Sequence, residues 1–418
     1  MLAAVTEATV ILALVIVTAL AFDFTNGFHD TANAMAASIS TGALKPKVAV
    51  ALSATLNLVG AFLSVEVALT VSNAVVKIQE KSGAPKPEFL VNHGTDLLII
   101  VLAGLVGGIV WNLFTWLLGL PSSSSHALLG GLTGAAAAGL GWSGVKWTGD
   151  GTKLDGVIGK VLLPSIISPL VAMLVAFVGC WVVHRLTNGI ANKVSDSTFR
   201  WGQIGSASLV SLAHGTNDAQ KTMGVMTLAL IASGHWTDTH AVPIWVKVSA
   251  ATAIALGTYL GGWRIIRTLG KGLVDITPRQ GMASDGSTAA VLLAASHLGF
   301  ALSTTHVATG SVLGGGLGRG THVRWNTAGR MVIAWITTFP LAAGVGALMW
   351  WIGDTLGGAF GAIVVFGILC AASAWMYYRS QHQHVGAHNV NDEWDRPQDV
   401  LDPNEAQPEA ARSATATH

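Results

Sequence analysis

Long apolar segments, separated by short polar ones, make up most of this chain. They lie at residues 8–39, 48–72, 96–118, 121–140, 157–183, 202–233, 246–262, 287–301, 303–317, 328–352 and 357–378. A helix needs about 20 predominantly apolar residues to cross the hydrocarbon core of a bilayer. Most of these segments reach that length, so the pattern predicts an all-α, polytopic membrane protein.

Polar residues interrupt the first and the sixth segment. The interruption at 23–30 places Asp30 near the middle of a predicted span, and the interruption at 214–221 does the same for Asp218, 188 residues later. An ionisable residue at that depth is costly and usually marks the path of an ion or a substrate. The pattern therefore predicts two broken helices that carry equivalent copies of one functional motif.

Two neighbouring segments, 287–301 and 303–317, are each too short to cross the membrane and are separated by a single residue. We interpret them as the two arms of a re-entrant hairpin, whose irregular turn is tolerated where it is buried in protein. The segments 96–118 and 121–140 meet in the same way at Pro121, but they are longer. These two segments could therefore form either a re-entrant hairpin or two full crossings of the membrane. In either case the chain returns to the side from which it came.

Basic residues between the segments predict the orientation in the membrane. With the N-terminus outside, the inner loops are 40–47, 184–200, 263–286 and 318–330, and the outer loops are 73–95, 141–156 and 234–247. The inner loops hold twelve Lys and Arg residues and the outer loops hold six, as the preference of positive charge for the cytoplasmic side requires. The first motif copy would then cross inward and the second outward. This arrangement predicts two inverted repeats, an architecture typical of secondary transporters.

The repeats divide the chain into four parts. The predicted parts are a first repeat at 1–183, a cytoplasmic linker at 184–200, a second repeat with a final helix at 201–378, and a tail at 379–418. The tail is rich in Asp, Glu, Pro and Gln and is too polar to bury a core of its own. We expect it to be disordered and cytoplasmic.

Composition narrows the class of protein further. Of 418 residues, 51% are hydrophobic and only 11% are charged, and the mean hydropathy is +0.55. So few charges cannot cover a soluble globule of this size. We therefore expect the lipid bilayer to surround the protein. The net charge is +1 and the sequence has no basic patch, so nucleic acid is not expected as a partner. Cys180 and Cys370 lie within apolar segments, so no disulfide is predicted. The sequence also predicts no metal site.

The hairpin turns carry hydroxyl side chains where their second arm begins. One turn reads Ser122-Ser123-Ser124-Ser125 and the other reads Ser303-Thr304-Thr305. At a helix N-terminus, free backbone N–H groups and the positive end of the helix dipole meet these hydroxyl donors, which suits a tetrahedral oxyanion. His126 and His306 follow directly and should point away from the hydroxyls. A structural or gating role and contact with the substrate both stay open for these two histidines.

Other interpretations of the same residues stay open at this stage. A cluster of Ser and Thr in a membrane helix often only bonds to its own backbone, and the charged motif residues could form a buried ion pair that only holds the helices together. A membrane hydrolase could use Ser, His and Asp together, but the serines and His126 are adjacent in sequence and cannot pair with each other. A channel needs a continuous polar pore, whereas broken, inverted elements favour alternating access.

The motifs resemble those of the inorganic phosphate transporter (PiT) family, most closely its bacterial low-affinity branch. The copies read Gly27-Phe-His-Asp-Thr-Ala-Asn-Ala34 and Gly215-Thr-Asn-Asp-Ala-Gln-Lys221, and both hairpins occur in order. The resemblance extends over residues 1–378. It implies a multi-pass protein of the bacterial inner membrane that is not an enzyme, uses no cofactor, and carries inorganic phosphate together with a cation.

Motifs and resemblance together give the candidate site. The expected substrate-binding residues are Ser123, Ser124, Ser125, Ser303, Thr304, Thr305, Asn33, Asn217 and Lys221. The expected residues for the coupling ion are Asp30, Asp218 and His29.

Two departures from the family pattern bear on the coupling ion. His29 stands where an Asn is usual, and Lys221 stands where the first copy has Asn33. A lysine supplies a fixed positive charge where another member could place a bound cation, so we expect symport with protons rather than sodium. Sodium-coupled symport of phosphate or sulfate is the alternative. A metal–phosphate complex as the transported species and a homo-oligomeric state also stay open.

Overall fold

The computed structural model describes residues 2–65, 67–68, 94–149, 155–187, 192–238, 241–297, 300 and 302–392, and nearly all of them are helical. The helices are α1 (Leu2–Ser40), α2 (Pro46–Gly60), α3 (Thr95–Leu117), α4 (Ser124–Leu140), α5 (Leu163–Thr187), α6 (Asn192–Ala232), α7 (Ile244–Leu260), α8 (Trp263–Lys271), α9 (Pro278–His297), α10 (Thr304–Arg319), α11 (Trp325–Leu356) and α12 (Gly358–Ser380). A π-helical turn, Ile158–Leu162, leads into α5. Within these residues, strand-like pairing is limited to one bridge between Val274 and Val323. The prediction of an all-α fold is confirmed.

Five helices in the described part of the chain are long and apolar enough to cross a membrane. They cover residues 7–40, 95–117, 158–187, 325–356 and 358–380, and α7 with α8 forms a sixth candidate that is bent by 65°. The inner helix α3 has 78% of its most apolar stretch buried in the protein, whereas the corresponding value for α5 is 22%. The apolar side chains that α5 exposes are therefore suited to contact lipid.

The predicted helix breaks at 23–30 and 214–221 are wrong. The helix α1 runs unbroken through 39 residues and α6 through 41 residues. The polar motif side chains find partners on other helices and on neighbouring turns of their own helix, as described below, so the backbone does not need to open to satisfy them.

The motif glycines serve close packing of helices instead of a break. A Cβ atom added at Gly27 would collide with the backbone of α7 at Ile254, and one added at Gly215 would collide with the backbone of α2 at Asn57. Only glycine lets two backbones approach this closely in a membrane bundle. Gly27 and Gly215, which the sequence pairs as equivalent, thus lie at equivalent helix crossings.

The second arm of each predicted hairpin is short. The helices α4 and α10 have 17 and 16 residues, which is about 25 Å at the usual rise and less than the roughly 30 Å of hydrocarbon. The first arms α3 and α9 have 23 and 20 residues. The helix α9 begins earlier than the apolar segment 287–301 predicts. Its first turns contain the polar residues Gln280, Ser284 and Asp285, which are buried in the protein.

The two short helices pack on partner helices in matching ways. Gly130 and Gly134 of α4 lie against the backbone of α11, and Gly310 and Gly314 of α10 lie against the backbone of α5. The glycine positions match at a spacing of 180 residues, the same spacing that separates His126 from His306. Each short helix is therefore held by a helix from the other half of the chain.

Several predicted boundaries shift in the structure. The linker predicted at 184–200 is largely helical, because α5 continues to Thr187 and α6 begins at Asn192. The predicted loop 263–286 contains α8 and the start of α9. The apolar segment 48–72 ends its helix at Gly60, and most of the predicted outer loop that follows lies outside the described residues.

The first part of the predicted disordered tail is ordered. Beyond α12, Val390 is only 2% exposed, and Asn391 Nδ2 donates to the Ile39 carbonyl at the end of α1 at 3.2 Å. Arg264 of α8 donates to the Ser380 carbonyl at 2.7 Å. The prediction of disorder is therefore wrong for 379–392, because a few specific contacts outweigh a polar composition, and residues 393–418 lie outside the described residues.

Candidate functional site

The N-terminal ends of α4 and α10 meet the motif copies in the middle of α1 and α6. Ser123 Oγ accepts from the His126 N–H at 3.1 Å, and Ser303 Oγ accepts from the His306 N–H at 3.2 Å. Both serines are N-cap residues, a role that Ser favours because its oxygen satisfies a free N–H of the first turn. Ser123 and Ser303, expected to bind substrate, thus position the hairpin ends, and the hydroxyls after them make the contacts with the motifs.

Asp30 lies among three donors. Ser124 Oγ donates to Asp30 Oδ2 at 2.6 Å, and Thr304 Oγ1 donates to the same oxygen at 3.2 Å. His29 Nδ1 is 2.6 Å from the other oxygen, Oδ1. The carboxyl group is only 1% exposed, so these bonds replace the water that it lost on burial. Asp30 therefore joins both hairpin ends.

Asp218 has a matching set of partners in the second motif copy. Lys221 forms an ion pair with Asp218 Oδ1, and His214 Nε2 lies 2.9 Å from Oδ2. Thr304 Oγ1 lies 3.2 Å from Asp218 Oδ2 and also 3.2 Å from Asp30 Oδ2. One hydroxyl group thus lies between the two membrane carboxyl groups that the sequence identified.

The Lys221 side chain is 1% exposed, and each of its N–H groups has an acceptor. Besides Asp218, its Nζ donates to Ser125 Oγ at 2.5 Å and to the Leu302 carbonyl at 3.3 Å. An ammonium group has three donors, so these contacts use all of them. Lys221 therefore links its own carboxylate to the ends of both hairpins.

The two motif asparagines have different surroundings. Asn33 Nδ2 donates to Thr305 Oγ1 at 3.0 Å and to Thr304 Oγ1 at 3.3 Å. Asn217 Nδ2 instead donates to Ser296 Oγ of α9 at 2.9 Å. In the described residues, the amide oxygens of both asparagines are buried without a hydrogen-bond donor. Asn33 is thus in contact with a hairpin end, whereas Asn217 is directed at α9, and substrate binding by either residue stays a prediction.

His29 connects Asp30 to a second group of hydroxyls. Its Nε2 atom is 3.2 Å from Thr115 Oγ1 and 3.3 Å from Ser122 Oγ, and these two hydroxyls are 2.7 Å apart. A neutral imidazole carries its proton on one nitrogen and accepts at the other, and an imidazolium donates from both. His29 can therefore pass a proton between the carboxyl group and the hydroxyls near the turn between α3 and α4.

The two hairpin histidines contact each other. The ring centroids of His126 and His306 are 4.8 Å apart, and the His306 ring is 4.3 Å from that of Trp335 in α11. Trp335 Nε1 donates to the Pro121 carbonyl at 3.1 Å in the turn before α4. These aromatic contacts join the hairpins beside the carboxyl groups and leave the serine and threonine hydroxyls to the motif residues.

Sequence reasoning left three functional candidates outside the site. His214 flanks the second motif, where a ligand and a residue at a helix break were both open, and its spacing of four residues from Asp218 puts both on one face of a helix. Asp23 lies in the predicted break but was given no role, although it is as buried as Asp218. Nothing in the local sequence marks Thr115, because its contact with His29 depends on how α3 packs on α1.

The combined chemistry of the site suits a charged ligand and proton movement. Carboxylate and imidazole atoms of Asp30, His214 and Asp218 lie within 4.8 Å of one another, and Lys221 adds a fixed positive charge. In a Ser-His-Asp triad the imidazole stands between the hydroxyl and the carboxylate, and His29 lies in this way between Ser122 and Asp30. The same carboxyl group also accepts from Ser124 and Thr304 at both hairpin ends, so it serves a larger hydrogen-bonded group than a triad.

Comparison with known proteins agrees with these observations. The phosphate transporter family matches this chain over residues 26–196 and 187–346. A probable low-affinity inorganic phosphate transporter of Mycobacterium bovis is 56% identical over 387 residues, which are 92% of this chain and 88% of that protein. A protein of the same description from Bacillus subtilis is 40% identical over 340 residues, 81% of this chain and 96% of that protein.

A solved structure has the same fold. The structure of "the sodium-dependent phosphate transporter" superposes with a TM-score of 0.70, covering 83% of this chain and all of that chain, at 22% identity. The relatives are transporters and not enzymes, and the apolar helices make the chain a multi-pass membrane protein, which in bacteria lies in the plasma membrane. By its motifs, its fold and its relatives, this chain belongs to the phosphate transporter family.

Proposed function

We propose that this protein is a secondary active transporter that carries inorganic phosphate together with protons across the plasma membrane. The observation that carries the proposal is the position of Thr304, whose hydroxyl lies 3.2 Å from both Asp30 and Asp218 at the end of a hairpin helix. Two carboxyl groups and two helix N-termini meet there. Family membership supports phosphate as the substrate.

The hairpin ends supply the donors for phosphate. The first turns of α4 and α10 offer backbone N–H groups and the positive ends of two helix dipoles, and Ser125 and Thr305 add hydroxyls. Lys221 brings the positive charge, 2.5 Å from Ser125 Oγ. Phosphate oxygens would take over bonds that Ser124, Thr304 and Lys221 now donate to Asp30 and Asp218.

The carboxyl groups favour phosphate over sulfate. Near neutral pH, phosphate keeps at least one protonated oxygen, which can donate to a carboxylate, whereas sulfate has no proton to donate. A sulfate ion would therefore place unprotonated oxygens against Asp30 or Asp218, and like charges at that distance repel. A site built to accept a hydrogen bond from its substrate strongly rejects an analogue that lacks the donor.

The same residues favour protons as the coupling ion. Lys221 neutralises Asp218 through a buried ion pair, at a position where the other motif copy has the uncharged Asn33. Asp30 has no lysine partner in the described residues, but it lies 2.6 Å from His29, and the two can share one transferable proton. We assign the coupling proton to this pair. The alternative is sodium held by Asp30 and Asp218 in the same place.

We also propose that the two halves act as inverted repeats. Asn33 and Lys221 hold equivalent positions in the two motifs, and Thr305 and Ser125 hold equivalent positions in the two hairpins. Asn33 donates to Thr305, and Lys221 donates to Ser125, so the two contacts support this proposal. Each motif copy thus reaches the hairpin of the other half. Rocking of one half against the other around these contacts would expose the site to each side of the membrane in turn.

A metal–phosphate complex is a second form of the cargo that one observation supports. Asp30, His214 and Asp218 present oxygen and nitrogen atoms within 4.8 Å of one another, and such atoms could face a divalent cation that arrives together with phosphate. The metal would then be part of the substrate. Uptake of radioactive metal and phosphate in parallel, each measured with and without the other, tests this form.

Transport by the purified protein in proteoliposomes tests the main proposal. Labelled phosphate is offered under an imposed pH gradient, and separately under an imposed sodium gradient at equal pH, with excess unlabelled sulfate as a competitor. We expect accumulation with the pH gradient, none with sodium alone, and little competition by sulfate. Accumulation driven by sodium without a pH gradient would show that Asp30 and Asp218 hold sodium instead, and strong competition would point to a general oxyanion transporter.

A further inference from the structure

Asp23 is a buried carboxyl group that the proposed transport cycle has not used. It lies on α1 seven residues before Asp30, about 10 Å along the helix axis, and its exposure is 0%. Neither of its oxygens has a hydrogen-bond partner in the described part of the chain. Every other motif carboxyl group has at least two polar partners, so Asp23 requires its own explanation.

The surroundings of Asp23 offer little to a carboxylate. The Thr222 hydroxyl of α6 faces it, but that hydroxyl is also without a hydrogen-bond partner. The charged groups that face Asp23 from the helices packed on α1 are Asp218 and Lys221. The three N–H groups of Lys221 are directed at Asp218, Ser125 and Leu302, so none is left for Asp23.

An ionised carboxylate is costly in such a place. It would be fully buried beside a second negative charge, with one hydroxyl group, that of Thr222, to face it, and buried charges in proteins are normally paired or neutralised. A hard metal cation needs a shell of several oxygen ligands. A proton needs only one acceptor, which Thr222 Oγ1 provides when it lies next to a neutral carboxyl group.

We propose that Asp23 carries a transported proton of its own, in addition to the proton of the His29–Asp30 pair. The proposal rests on the proposed function. With the N-terminus outside, Asp23 lies on the outer side of Asp30, so its carboxyl oxygen would take up a proton from the outer solution and release it on the inner side in the other conformation.

Lys221 gives this proton a route to influence the substrate site. While Asp23 is neutral, Lys221 stays with Asp218 and both hairpin ends. Loss of the proton would create a second anion that competes with Asp218 for the same ammonium group. Lys221 would then loosen its bonds to Ser125 and Leu302, which join the two hairpins. Proton release at Asp23 would thereby weaken the hold on phosphate.

Infrared spectroscopy and flux measurements on the full-length protein test the proposal together. The variants are Asp23→Asn, which cannot ionise, Asp23→Glu, which restores the carboxyl group, and Asp96→Asn, an exposed acidic residue of α3 that serves as the matched control. In each protein we would record the absorbance of protonated carboxyl groups at neutral pH. In proteoliposomes, a pH electrode and labelled phosphate would give the number of protons moved per phosphate.

We expect Asp23→Asn to lose one protonated-carboxyl band and to move fewer protons per phosphate, and we expect Asp23→Glu to recover both. The control should match the wild type. A band that persists in Asp23→Asn, or an unchanged proton-to-phosphate ratio, overturns the proposal. A wild-type band that disappears when sodium chloride is added also overturns it, because the site then holds sodium.

A second variant keeps the test valid if Asp23→Asn does not fold. Thr222→Val leaves Asp23 in place but removes the hydroxyl that faces it, so the frequency of the carboxyl band should shift; an unshifted band contradicts the proposal. Failure of the proposed function is distinguishable, because wild-type uptake would then occur with no proton movement at all. Loss of the proton at Asp23 alone would leave the pH gradient still able to drive uptake.

Discussion

Lys221 Nζ donates to Ser125 Oγ across the boundary between the two halves of the chain, at 2.5 Å. The equivalent contact, from Asn33 to Thr305, is 3.0 Å long and carries no charge. The two halves therefore make the same connection with different chemistry. The difference places one positive charge on one side of the site, and the proposed coupling to protons depends on it.

Replacing Lys221 by Asn should make the second half resemble the first. Removing one partner of a buried ion pair costs about 3–5 kcal/mol, so we expect lower thermal stability and weaker phosphate binding. Sodium should recover part of both, because Asp218 then lacks its cation. The measurement is uptake and melting temperature with and without sodium chloride, with Lys247→Asn outside the site as control. No response to sodium in the variant would contradict the proposed role of Lys221.

Asp30→Asn should sharply lower accumulation driven by a pH gradient, because only the proton proposed for Asp23 would then remain. The amide has the shape of the carboxyl group and its oxygen can still accept from Ser124, but it cannot take up a proton. Exchange of phosphate across the membrane needs no net proton movement, so we expect exchange to persist at a reduced rate. In proteoliposomes, counterflow measures exchange and gradient-driven uptake measures accumulation. The control is Asp354→Asn, because Asp354 is exposed at the end of α11. Accumulation as in the wild type would exclude Asp30 as the proton carrier.

Removing two hairpin hydroxyls should weaken phosphate binding without unfolding the protein. Ser124 and Thr304 are the donors to Asp30, and hydrogen bonds to a charged group are worth about 1.5–3 kcal/mol each. The double variant with Ala at both positions should therefore lose at least two orders of magnitude in apparent affinity, by about 1.4 kcal/mol per factor of ten. Equilibrium binding of labelled phosphate to the purified protein measures this.

Ser123→Ala provides the contrast to that double variant. Ser123 caps α4, and loss of an N-cap costs about 1 kcal/mol of stability. We expect a lower melting temperature and a smaller change in phosphate affinity than in the double variant. Equal affinity losses in the two proteins would mean that the hairpin hydroxyls act through helix structure and not as ligands.

How much of the site could be predicted depends on how local each relationship is. Asp218 and Lys221 are three residues apart, and helix geometry alone brings them together. The contact of Thr304 with both Asp30 and Asp218 was within reach because the motifs and hairpins are duplicated. The contact of Thr115 with His29 depends on the packing of α3 on α1, and no spacing in the sequence encodes it.

The wrong predictions have a common physical cause. Polar composition alone predicts a broken helix at 23–30 and a disordered tail after 379, because the sequence does not show which partners the polar groups will find. In the folded protein the partners of Asp30 and His29 lie on α3, α4 and α10, and Val390 finds an apolar surface at the end of α1. Tertiary contacts can satisfy polar groups that the sequence shows without partners.

Asp155 should stabilise the entry to α5 in a way that depends on pH. Burial alone would raise its pKa, but hydrogen bonds from Lys146 and the Gly156 N–H, with the charges of Lys146 and Lys160, hold the pKa below its ordinary value. A lowered pKa gives stability that is present above the ordinary value of about 3.9 and is lost as the pH falls through the folded value.

The substitution Asp155→Asn tests this sign. At neutral pH we expect a loss of about 0.2–1 kcal/mol, as for other partly exposed ion pairs, since the side chain is 27% exposed. The difference in melting temperature between variant and wild type should shrink as the pH is lowered below about 4. A difference that grows in acid would contradict the assignment.

Cysteine labelling should establish the orientation on which the inverted repeats depend. Ser143 lies in the predicted outer loop and Asp275 in the predicted inner loop, and both side chains are exposed. The native Cys370 is exposed on α12 and Cys180 is buried, so Cys370 is first replaced by Ser. In intact cells, a membrane-impermeant thiol reagent should label Ser143→Cys and spare Asp275→Cys, and both should react after the membrane is opened. The reverse pattern would place the N-terminus inside and Asp23 on the inner side of Asp30, and its proton would then have to enter from the cytoplasm.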